Sequence, residues 1–104
     1  MALQLEPTAN KVIKIYNTDI ELTSVYLRFK YDVSPNGRIV ICNSKAYQDK
    51  AKYQSNSPLA VSVPLTEVVL KIDVATETAD MATVHTKLQE YYQNLGYTVT
   101  ILDI

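Results

Sequence analysis

Hydrophobic and polar positions alternate most cleanly between Thr23 and Val33. Val25, Leu27, Phe29, Tyr31 and Val33 occupy the odd positions, and Ser24, Arg28, Lys30 and Asp32 the even ones. That period of two describes a strand with one dry and one wet face. Ser34-Pro35-Asn36-Gly37 follows and reads as a hairpin turn. Pro35 presets φ, and Asn36 and Gly37 tolerate the positive φ that such turns need. Arg38–Asn43 then returns with apolar residues at both odd and even positions, which predicts a central or sandwiched strand.

Weaker patterns flank this hairpin. Met1–Asn10 has no clear period and contains Pro7, so it reads as an N-terminal arm. It is either a disordered terminus or a segment that orders against a neighbouring copy. Lys11–Ile20 is rich in β-branched residues and predicts a strand broken by a bulge or turn near Asn17-Thr18-Asp19. Pro58–Val63 alternates again, and Pro64, which lacks an N–H, marks an edge or a bend. Thr66–Val74 is a second amphipathic strand, with Val68, Leu70, Ile72 and Val74 facing one way.

Thr76–Leu95 changes period. Met81, Val84, Leu88, Tyr91 or Tyr92, and Leu95 recur at spacings of three and four, the apolar stripe of a helix. Thr76 and Thr78 are candidate N-caps, while Glu77 and Asp80 suit the positive end of the helix dipole. Gly96 can take the positive φ that stops a helix, and Tyr97 can fold back onto Tyr92. Tyr97–Ile104 is β-branched and predicts a last strand. The order predicts an α+β fold for residues 11–104 as a single domain. It is an antiparallel sheet or small sandwich of about five to seven strands, with one C-terminal helix packed on it and a final strand.

Composition narrows the function. Ten basic and eleven acidic residues give a net charge of −1, too little field to hold a polyanion by charge alone. The charges are unevenly spread. Residues 1–57 carry eight Lys/Arg against five Asp/Glu, and residues 58–104 carry two against six. Such a dipole suits contacts between copies. The two glycines, Gly37 and Gly96, both have turn or cap duties, so no phosphate-cradling loop is expected. Met1–Asn10 lacks the basic and apolar regions of a signal peptide, and no apolar run approaches the roughly 18 residues of a membrane span. Cys42 is the single cysteine, which fits a protein made in a reducing cytoplasm.

Candidate chemistry is sparse. His85, the single histidine, reads as a surface or boundary residue on the rim of the helix stripe, with no triad motif to use it. Cys42 reads as a buried structural thiol. Asp73, Glu77 and Asp80 lack the pattern of a calcium loop. The expectation is therefore no enzyme, no metal and no cofactor.

The tyrosines are more informative: eight Tyr and no Trp. Tyr26 shares the polar face of its strand with Arg28 and Lys30. The polar stretch Ser44–Ser57 reads as a loop that could hold one short helical turn, and it places Lys45, Tyr47, Lys50, Lys52 and Tyr53 together. Exposed tyrosine beside arginine and lysine is typical of protein interfaces, and it can also stack nucleic-acid bases. The near-zero net charge favours a protein partner. These eight residues are the candidate partner-binding set.

The stretches ELTSVYLRFKYDVSPNGRIVICNSKAY and HTKLQEYYQNLGYTVTILDI, with the polar segment between, resemble the small virion proteins of tailed bacteriophages. The resemblance implies a β-rich domain with one helix and extended loops, without catalytic residues. It implies a capsid, neck, tail or baseplate component that binds other virion proteins or copies of itself. No site residue is carried over. The alternative is a small cytoplasmic protein-binding module or inhibitor.

Overall fold

The computed structural model describes residues 2–63 and 65–102, so the expectation for Pro64 and the end of the last strand lie outside the described residues. The hairpin forms as its alternation demands. Strands β4 (Val25–Val33) and β5 (Ile39–Tyr47) pair antiparallel from Tyr26 opposite Tyr47 to Val33 opposite Val40. Ser34 closes the loop through its N–H to the Ile39 carbonyl, and Gly37 takes the positive φ of 71°.

The chain start is not an arm. Ala2–Glu6 is strand β1, and it lies inside the sheet with a partner on each side. It pairs antiparallel with β4 on one side and with the last strand, β7 (Thr98–Leu102), on the other. Leu3 and Leu5 are fully buried on one face, and Ala2 on the other. Five residues are too few to show a period on their own, but Leu3 and Leu5 do alternate with Gln4 and Glu6, and Leu3–Leu5 is paired on both sides.

Strand β6 (Val68–Lys71) completes a five-stranded antiparallel sheet in the order β6-β5-β4-β1-β7. It is shorter than Thr66–Val74. Two-residue strands β2 (Ile13–Lys14) and β3 (Glu21–Leu22) make a small second sheet. Lys11–Ile20 breaks at the expected place, turning back through Asn17 at a φ of 61°, although the strand before the break is only Ile13–Lys14. Pro58–Val63 forms single bridges, Leu59 to Ala46 and Val61 to Ile15, rather than a ladder.

Helix α2 (Met81–Asn94) starts later than Thr76. The residues before it close their own turn, with the Thr76 and Glu77 N–H groups on the Asp73 carbonyl. Asp80 then caps the helix, its carboxylate accepting from the Thr83 N–H at 2.8 Å. At the other end Gly96, at a φ of 107°, and the Tyr97 N–H on the Tyr92 carbonyl form the expected C-cap. Val84, His85, Leu88 and Tyr92 face the sheet, while Met81 is exposed. The stripe is thus rotated by part of a turn from the expected one. His85 is buried rather than on the rim, its Nδ1–H donating to the Met81 carbonyl at 2.7 Å and its ring 4.4 Å from that of Phe29.

The main core lies between α2 and the inner face of the sheet, where Leu3, Leu27, Val40, Cys42 and Leu70 meet Val84, Leu88 and Tyr92. Fully burying each leucine contributes about 1.5–3 kcal/mol. Among the described residues no helix is long and apolar enough to cross a membrane.

Candidate functional site

Period-two geometry and the observed register decide what shares the outer face of the sheet. Arg28 pairs with Lys45, Lys30 with Asn43, and Tyr26 with Tyr47, so all six side chains rise on the side away from α2. Lys45 and Tyr47 are not in a loop. They end β5, because Ser44–Tyr47 continues the ladder against β4. The polar segment that remains holds a single helical turn, α1 (Lys50–Gln54), capped by the Asp49 carboxylate accepting from the Lys52 N–H at 2.9 Å.

Helix α1 folds Tyr53 down onto the outer face. Its ring lies 5.2 Å from Tyr47, nearly edge-on, and 5.7 Å from Tyr26. The Arg28 guanidinium covers the same ring at 4.5 Å. With Ala2 and Leu102 the tyrosines make a small second core. Tyr26 and Tyr47 are therefore buried, against the expectation that they stand exposed in front of a partner. A tyrosine that has two neighbouring rings to pack on loses more by facing water than by closing inward.

A groove of about 500 Å³ runs beside this cluster, lined by Arg28, Phe29, Lys30, Asn43, Ser44, Lys45, Tyr47, Tyr53 and Thr66. A second depression of about 350 Å³ lies on the other side of Tyr26, where Gln4, Ser24, Gln48, Asp49 and Lys50 surround it. The Tyr26 hydroxyl, though buried, meets no hydrogen-bond partner among the described residues. The structure thus brings Arg28, Lys30, Lys45, Tyr47 and Tyr53 to one groove, puts Tyr26 under its wall and Lys50 at the neighbouring depression, and leaves Lys52 with its N–H in the α1 cap. Asn43, Thr66 and Gln48 escaped the sequence reading. The odd positions of Ile39–Tyr47 would have found Asn43, since it shares a face with Lys45 and Tyr47.

The electrostatics of the groove are one-sided. Arg28 and Lys45 sit directly opposite each other across β4 and β5, a like-charge pairing that works against the sheet. Among the described residues the ion pair that forms is Lys87 with Glu77, at 2.8 Å and away from the groove. Among the described residues no carboxylate forms an ion pair with the groove cations.

Other chemistry is muted. Burial pushes the Cys42 thiol up to about 11, leaving it a protonated core residue. Burial also raises the Tyr92 hydroxyl above its ordinary value. Glu77 is held below the usual carboxylate range by its hydrogen bond from Lys87, and Asp80 by the Thr83 N–H. Among the described residues no three of His, Cys, Asp and Glu converge as a metal ion requires. Compared with protein-family models, with curated proteins and with solved structures, the chain matches none of them.

Proposed function

We propose that this protein is a non-catalytic assembly protein that docks an acidic segment of another protein in the groove of its outer sheet face. The setting is the one its resemblance implies, a tailed-bacteriophage virion. The observation that carries the reading is the cross-strand pairing of Arg28 with Lys45, flanked by Lys30 and without an ion pair among the described residues. Like charges held together cost stability, and a carboxylate-bearing partner removes that cost on binding. The aromatic wall favours a protein over single-stranded nucleic acid. Base stacking needs an open ring face, but Tyr26 and Tyr47 are buried and Arg28 already covers Tyr53.

The test is titration with an acidic Glu/Tyr peptide, with a neutral peptide and oligo-dT as the other arms. The acidic peptide should perturb the amide NMR signals of Arg28, Lys30, Lys45 and Tyr53, and raised salt should weaken it. The Arg28→Glu/Lys45→Glu variant should lose the effect. Equal binding by that variant sinks the proposal, and tighter binding of oligo-dT replaces the protein partner with nucleic acid. Co-purification with phage particles supports the virion setting. Recovery of the protein only outside particles favours the cytoplasmic module.

A further inference from the structure

The molecule carries an acidic, partly apolar segment of its own. Residues 73–81, from the end of β6 to the first residue of α2, hold Asp73, Glu77 and Asp80 and no basic residue. Val74 and Met81 in the same stretch are 50% and 48% exposed. Glu77 is paired with Lys87, which leaves Asp73 and Asp80 without an ion pair among the described residues. A second acidic stretch, Asp19 and Glu21, is compensated by Lys14, which stands opposite Glu21 across β2 and β3.

Residues 73–81 are already shaped by their own hydrogen bonds. The Asp73 carbonyl accepts from the Thr76 and Glu77 N–H groups, the Asp73 N–H donates to the Glu77 carboxylate at 3.0 Å, and Asp80 caps α2. A segment ordered beforehand loses little conformational entropy when it docks. It also stands apart from the groove of its own chain. The Ile72 N–H donates to the Arg38 carbonyl, and a Cβ added at Gly37 would meet the Val74 side chain at 3.8 Å, so the stretch sits beside the β4–β5 turn. From there, Ile39 to Lys45 along β5 covers about 20 Å.

We infer, on the docking reading of the groove, that its acidic occupant is residues 73–81 of a second copy, so that copies join head to tail. Asp73 and Asp80 answer Arg28, Lys30 and Lys45 in sign. Val74 and Met81 meet exposed Ile41 and Val69, which pair with each other on the outer face next to the groove. Each copy offers one segment and one groove, at different places on its surface. Such a contact is heterologous, and it builds a ring or an open row rather than a closed pair. Its charges are exposed, so salt weakens it.

The experiment is sedimentation velocity of the full chain from micromolar to millimolar concentration at low salt. The wild type should associate reversibly into a series that continues past the dimer, and raised salt should return it to monomer. Asp73→Asn/Glu77→Gln/Asp80→Asn removes the charges while its amide oxygens can accept the same hydrogen bonds. It should stay monomeric with an unchanged circular dichroism spectrum, and it should still bind the acidic peptide. Arg28→Glu/Lys45→Glu should also be monomeric alone. Mixed one to one, the two variants should stop at a dimer, because one supplies only the segment and the other only the groove. A wild type that binds the acidic peptide but stays monomeric at every concentration overturns the inference and leaves the docking reading standing. One that does neither ends both. Growth that halts at the dimer, association that survives in the amide variant, or a mixture that fails to pair also overturns the inference.

Discussion

The two faces of the five-stranded sheet are built from the same strands and put to opposite ends. The inner face is aliphatic and sealed by α2, with Leu3, Leu27, Val40 and Leu88 all fully buried. The outer face carries a tyrosine cluster and three groove cations at one end, and exposed Ile39, Ile41 and Val69 at the other. Inner residues are fixed by packing. Outer residues are in part held against stability, as the Arg28–Lys45 pairing shows. Where a fold tolerates a local cost that a neutral side chain would remove, the cost points to something outside the fold.

The largest expected effect breaks the inner face from the chain start. Deleting residues 1–6 removes the strand between β4 and β7 and should abolish cooperative thermal unfolding. A truncated chain that melts like the full one would restore the arm and divide the sheet. Next comes Leu88→Ala, which should cost roughly 2–5 kcal/mol in urea denaturation. A loss under about 0.5 kcal/mol would mean that α2 does not seal this face.

Cys42→Ser should cost about 1–3 kcal/mol, because a hydroxyl replaces a thiol in an apolar site. The same burial gives an alkaline signature. The thiol is raised from an ordinary value of 9.0 to about 11, so the fold holds its proton more tightly than the unfolded chain does. The associated stability is complete below pH 9 and lost as pH rises toward 11. Thermal melts across that range should show it, and Cys42→Ala should reduce it.

Smaller effects are expected at the helix start. Asp80 and Glu77 titrate below their ordinary values, so their contribution is present above those values and lost as pH falls through the lowered ones. Asp80→Ala should lower the melting temperature at pH 7 and flatten its decline in acid. The smallest effect on folding belongs to the outer face. Lys45→Gln should change stability by no more than about 0.5 kcal/mol while weakening the acidic peptide. A large loss of stability there would erase the distinction between the two faces.

Several elements follow from local pattern alone. Thr23–Val33 alternates, Gly37 permits its turn, and the 4-residue spacing of Val84 and Leu88 makes one helix face; each of these needs only near neighbours in the chain. Hence the α+β class and the long hairpin could be read from residue order, as could the C-cap at Gly96. That Tyr26, Arg28 and Lys30 face Tyr47, Lys45 and Asn43 follows from the hairpin only once β5 is seen to run on to Tyr47, which the polar stretch Ser44–Ser57 concealed.

Other features had no local signal. Ala2–Glu6 became an interior strand because β4 and β7 each left an edge that it could fill, and β7 is nearly a whole chain length away. Tyr26 and Tyr47 were drawn inward by Tyr53, whose ring arrives from a separate helix. His85 was buried because the rotation of α2 is set by the surface it packs on, not by the stripe it carries. Residue order fixes the period and the turns, since those energies are local. Which strand is central, which ring is covered and which edge is left open depend on contacts between distant segments, and only the assembled sheet decides them.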